Sequence, residues 1–123
     1  MKLRLHGNTL RLRLSQAEVG QFSKTGYVES TTEFGPASRL SYILESSSKA
    51  AAPQVVFGNG DLRIQVPSGE AQEWITTERV GISGEQQFGT GKKLSILIEK
   101  DFQCIHKENP DPGAYPNPLI KGA

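Results

Sequence analysis

The residues KLRLHGNTLRLRL at 2–14 alternate leucine with a polar or basic side chain on both sides of Gly7-Asn8. This alternation restricts the possible folds more than any other feature of the chain. A period of two belongs to a strand with one buried face, so 2–6 and 9–14 are expected to pair as a hairpin. Glycine at the first central position supplies the positive φ of a tight primed turn. That turn sets Leu5 opposite Leu10 and Leu3 opposite Leu12, and it also sets Arg4 opposite Arg11 and Lys2 opposite Arg13. The pattern returns at 54–66 as QVVFGNGDLRIQV. There Val55 and Phe57 stand for Leu3 and Leu5, and Leu62, Ile64 and Val66 stand for Leu10, Leu12 and Leu14. The Asn59-Gly60 turn favours type I′.

The segment after each hairpin also recurs. Ser15-Gln16-Ala17-Glu18 reads as a capping box, with Val19 and Phe22 on one helical face and Gly26 as the stop. Residues 27–34 then read as a strand with Val28 and Phe34 inward and Glu29, Thr31 and Glu33 outward. Gly35-Pro36 turns the chain, and 39–45 returns with Leu40, Tyr42 and Leu44 inward. The second passage has a short helix at 68–76, with Ala71 and Trp74 in place of Val19 and Phe22. It has a strand at 80–88, read as matching 28–34, and a return in which Leu94, Ile96 and Ile98 match Leu40, Tyr42 and Leu44. A two-residue insertion, placed in the turn after Phe88, keeps the parity of the last strand. The expectation is an α+β domain built from a duplicated ββαββ unit (2–45 and 54–99, joined by a linker at 46–53). It is mainly antiparallel, with two short helices and eight strands closing into a barrel or folded-over sheet. Residues 102–123 have no counterpart, hold four of the seven prolines, and read as an extended tail anchored by Phe102, Ile105, Tyr115 and Leu119.

A chain of 123 residues with net charge +1 suits one soluble domain, and its totals point neither to nor away from nucleic acid. Any cationic surface must come from placement. Cys104 is the only cysteine, which rules out an internal disulfide and fits a reducing cytoplasm. No apolar run has the length of a signal peptide core or a membrane span.

Placement does concentrate charge. Lys2, Arg4, Arg11 and Arg13 share the outward face of the first hairpin, with like charges directly across from each other, a disfavoured arrangement. Either nearby carboxylates (Glu29, Glu33, Glu45 and Glu99 have outward parity) or an anionic ligand or acidic protein surface offsets it. In the second hairpin the corresponding residues are Gln54, Val56, Arg63 and Gln65, so only Arg63 retains the charge. Ile43 and Leu97 both break the outward polar pattern, which implies burial beneath another part of the chain or a contact between copies. Cys104-Ile105-His106 presents a thiol and an imidazole on one strand face. A zinc site there would need ligands from His6, Asp101, Glu108 or Asp111, and the C-x-H spacing alone also fits an inert thiol beside a surface histidine. The glycines at 58–60 and 89–91 resemble phosphate loops but lie between strands, so they read as hairpin turns. No cofactor or catalytic residue is expected.

The segments LRLRLSQAEV near the start, EKDFQC at 99–104 and YPNP at 115–118 together resemble a small family of uncharacterised bacterial proteins. The resemblance covers nearly the whole chain and implies no activity or ligand. Two classes of function fit the residues. One is a binding module using the cationic hairpin or the tail. The other is an enzyme acting on a phosphate ester or polyphosphate, with Arg4, Arg11, Arg13 and Arg63 facing a lumen and Glu29, Glu33, Glu45 and Glu99 holding a divalent metal. Two short helices are too few to cover eight strands from outside, which favours the leucine rows as the interior and the first class.

Overall fold

A computed structural model describes residues 1–101. The tail anchors and the Cys104–His106 pair lie outside the described residues. The elements run in the order β1 (Lys2–His6), β2 (Thr9–Leu14), α1 (Gln16–Thr25), β3 (Tyr27–Gly35), β4 (Ser38–Ser47), β5 (Gln54–Gly58), β6 (Asp61–Pro67), α2 (Ser68–Thr76), β7 (Gly81–Phe88) and β8 (Lys92–Lys100).

Local chemistry accounts for the element boundaries. Gly7 has φ 56, whereas Asn59 and Gly60 both have positive φ (54 and 78), as a type I′ turn requires. The Ser15 side chain accepts from the Glu18 amide, the Glu18 carboxylate accepts from the Ser15 amide, and Gly26 closes α1 in the left-handed region. The first hairpin has the register set by its turn: Leu3 pairs with Leu12, Arg4 with Arg11 and Leu5 with Leu10.

The strands assemble into two four-stranded mixed sheets, β1-β2-β8-β7 (sheet A) and β3-β4-β6-β5 (sheet B). Each sheet takes one hairpin from 2–47 and one from 54–100, joined at its centre by a parallel pair. The two parallel ladders coincide in register: Leu10 faces Ile96 in sheet A as Tyr42 faces Leu62 in sheet B, and Arg13 faces Glu99 as Glu45 faces Gln65. Four of the six ladders are antiparallel, as expected, and the parallel centres make each sheet mixed. Local pattern cannot reveal such pairs, because their partners come from strands remote in sequence.

The barrel is not closed. No backbone ladder joins β1 to β3 or β5 to β7, and the two sheets pack face to face instead. Between them lie Leu10, Leu12, Leu14, Ile64, Val66, Ile96 and Ile98, all buried. The helices floor the core at the end opposite the hairpin tips. There Phe22 and Trp74 meet edge to face, 6.1 Å between ring centroids, and the Trp74 indole N–H donates to the Val80 carbonyl at 3.0 Å. Burying a side chain of this size stabilises the fold by about 1.5–3 kcal/mol.

Two inward assignments fail. Val80 does not match Val28, because it is 49 % exposed and Ile82, wholly buried, takes that place. Ile82 pairs with Ile98 as Val28 pairs with Leu44, so the two-residue insertion lies between α2 and β7 and not in the later turn. Phe34 is 68 % exposed, since a bulge between Glu33 and Gly35 carries it past the end of the core.

Candidate anion-binding face

The outward face of sheet A combines residues that local sequence placed together with others that only the topology brings in. Lys2, Arg4 and His6 stand on β1, Arg11 and Arg13 on β2, and Leu97 and Glu99 on β8. The parallel β2–β8 ladder puts Arg11 beside Leu97 and Arg13 beside Glu99. One oxygen of the Glu99 carboxylate accepts from Arg11 Nε at 2.6 Å and from Arg13 Nε at 3.4 Å. The Arg11 hydrogen bond is the main reason the Glu99 carboxyl is held below its ordinary value of 4.5, with the charges of Arg11 and Arg13 adding to it and partial burial opposing it. Lys2 Nζ reaches Asp101 Oδ2 at 3.0 Å.

Arg4 differs from every other arginine. Arg39, Arg63 and Arg79 are bonded to Asp61, Glu45 and Glu70 at 3.1, 2.8 and 2.6 Å, and Arg11 and Arg13 share Glu99. Among the described residues Arg4 has no carboxylate partner, although it stands directly across from Arg11. The four cations of the first hairpin meet two carboxylates, Glu99 and Asp101, which leaves an excess of positive charge centred on Arg4. Two shallow depressions share Arg4 and Arg11. One of about 180 Å³ also takes in Lys2 and Arg13, and one of about 240 Å³ takes in His6 and Thr9. A third, of about 420 Å³, continues from Thr9 over Leu97 and Ser83.

Not every charged residue singled out from sequence joins this face. Arg63 lies on sheet B, where its guanidinium donates to Glu45 at 2.8 Å and Gln65 donates to the same carboxylate at 3.1 Å. Glu29, Glu33 and Glu45 also belong to sheet B and do not balance the first hairpin. The charged side chains stand outside the sheets, and the leucine and isoleucine rows fill the space where a catalytic lumen would have been. Ile43 is buried within the single chain, while Leu97 is half-buried on the wall of the third depression. Sequence reasoning missed His6, Thr9 and Leu97 as neighbours of the cations. Their only signal was outward parity, and it gained meaning once β8 was seen beside β2.

A family model described as a family of unknown function (DUF7009) matches residues 1–119. The chain belongs to that family. The match spans both sheets and both helices, so the cationic face lies wholly within the family's domain. No curated protein and no solved structure matches the chain. Among the described residues, no helix is long and apolar enough to cross a membrane, and no cluster of three or more His, Cys, Asp or Glu could hold a metal ion.

Proposed function

We propose that this member of the family is a non-enzymatic binding module that takes an anionic group on the outward face of sheet A, with Arg4 as the principal contact. Arg11, Arg13, Lys2 and His6 flank that contact. The observation that carries this reading is the contrast at one position of the fold. Arg4 pairs with Arg11 in sheet A, and Val56 pairs with Arg63 at the same place in sheet B. The fold therefore accommodates an uncharged residue at this place, and the arginine is not demanded by packing. An exposed guanidinium with no carboxylate partner among the described residues, next to a second guanidinium, suits a phosphate or carboxylate, which planar N–H donors bind at two points.

The enzyme reading is not supported by the packing, because the residues it would place around a substrate face outward on two separate sheets. We further infer that the two halves descend from one copied ββαββ unit. The matching strand order and matching ladder registers of the sheets support this.

Retention on heparin at low salt, with pyrophosphate as competitor, tests the binding reading. The unaltered chain should be retained and should elute earlier when pyrophosphate is added, and Arg4→Gln should elute at clearly lower salt. If Arg4→Gln and the double variant Arg11→Gln with Arg13→Gln both elute with the unaltered chain, this face is not the binding site.

A further inference from the structure

The two places where the sheets meet edge to edge are finished differently. On one side, β5 of sheet B lies along β7 of sheet A and a side chain seals the gap. The Val55 amide donates to Gln86 Oε1 at 2.5 Å, and Gln86 Nε2 donates back to the Val55 carbonyl at 3.0 Å. A primary amide carries the same donor and acceptor pair as a peptide unit, so Gln86 completes the edge of β5 as a neighbouring strand would. Pro53 presses on the same seam, where a Cβ at Gly84 would lie 3.1 Å from its ring.

On the other side the edge is β1. Matching registers make Leu3 the counterpart of Val55, since Leu3 pairs with Leu12 and Val55 with Ile64. They also make Thr32 the counterpart of Gln86, since Thr32 pairs with Leu40 and Gln86 with Leu94. Alternate residues of a hairpin strand turn their backbone groups away from the partner strand. Val55 does so, and the same phase puts the N–H and C=O groups of Leu3 and Leu5 at the free edge of sheet A. A threonine hydroxyl is too short to bridge both groups of one residue, and no partner for them is found among the described residues.

We propose that the β1 edge is a strand-addition site for a partner protein, and that it accepts an extended segment alternating acidic and apolar side chains. The backbone of β1 supplies the ladder. A strand laid beside it brings its outward side chains to about 4.5–5.5 Å from those of Lys2, Arg4 and His6, where carboxylates are favoured. Its inward side chains cover Leu5 and Phe34, which are 61 % and 68 % exposed. A second copy of β1 is a poor occupant, because it would bring lysine and arginine against lysine and arginine. The proposal deepens the anionic-ligand reading by naming a peptide as the ligand. It also rests on a backbone edge that the reading does not use, so the two can fail separately.

Hydrogen exchange of the Leu3 and Leu5 amides, followed by NMR on the full chain, tests it. The probe is a short synthetic peptide alternating glutamate and valine. The control has the same composition in two blocks, and pyrophosphate serves as an anion that cannot pair with a strand. The alternating peptide should slow exchange at both amides, whereas pyrophosphate and the block peptide should not. Thr32→Gln, an exposed change that installs the residue found at the sealed seam, should weaken peptide binding by roughly tenfold, or about 1.4 kcal/mol, and leave heparin retention unchanged. The proposal is overturned if the peptide fails to bind or binds without protecting these amides. It is equally overturned if the amides are already protected in the chain alone, because the edge is then occupied by the chain itself or by a second copy.

Discussion

The outward faces of sheets A and B share one topology and one register but carry different chemistry. Sheet B presents Gln54, Val56, Arg63 and Gln65 against Glu45. Each guanidinium of that face has a carboxylate, Arg63 with Glu45 at 2.8 Å and Arg39 with Asp61 at 3.1 Å, and Gln54 donates to Gln65 at 2.5 Å. Sheet A presents Lys2, Arg4, Arg11 and Arg13 against Glu99 and Asp101, and one of its arginines is left without a partner among the described residues. A face with no excess of cations suffices to build the sheet. The excess cations of sheet A therefore call for an explanation outside the fold, and their like-charge pairing works against stability by about 0.2–1 kcal/mol per pair.

This comparison can be broken most decisively through its shared core. Leu12 and Ile64 occupy the same place in the two sheets and both are fully buried. Truncating either to alanine should cost about 2–5 kcal/mol, as read by urea denaturation. If one costs several-fold more than the other, the two sheets are not equivalent supports and the contrast between their faces loses its meaning.

A smaller difference is expected from the carboxylates. Glu99→Gln should destabilise by about 1 kcal/mol and Glu45→Gln by less, because Glu99 neutralises two guanidiniums and Glu45 only one. Glu99→Gln should also tighten retention on heparin, since Arg11 and Arg13 are then left free. Acid exposes the same asymmetry. The Glu99 carboxyl titrates below its ordinary value of 4.5 in the folded chain, so its contribution to stability is complete above that value. The contribution is lost as the pH falls through the lower, folded value. A melting temperature measured from pH 6 downward should drop across this window, and the drop should be blunted in Glu99→Gln. An equal drop in both proteins would remove Glu99 from the account.

The smallest change in stability should come from exchanging the contrasting residues themselves. Arg4→Val gives sheet A the residue of sheet B and should leave stability within about 0.5 kcal/mol of the original or slightly raised, while heparin retention falls. A fall of about 2 kcal/mol in thermal or urea denaturation, beyond what a surface exchange costs, would mean that Arg4 supports the fold. The binding reading would then lack its main argument.

Much of the fold was legible in the chain because it depends on near neighbours. The Gly7-Asn8 and Asn59-Gly60 turns set the hairpin registers, Ser15 and Glu18 set the start of α1, and leucine alternation separated inside from outside. Phe34 and Val80 were misread where a bulge and an insertion broke the parity on which such reading depends. The candidate site was only half visible. Lys2, Arg4, Arg11 and Arg13 could be placed on one face from the turn alone, whereas their balance with Glu99 could not.

The amino-acid sequence by itself determined the hairpins, the helices and, where no bulge or insertion broke the parity, which side chains a strand turns inward, since turn geometry and side-chain period act within a dozen residues. Only the tertiary structure decided that the hairpins of the two halves are exchanged between sheets, that β8 lies parallel to β2, and that Gln86 closes one edge while no described residue pairs with the outer edge of β1. Those outcomes depend on which distant strands bury the most apolar surface together, and the period of a strand carries no record of its partner.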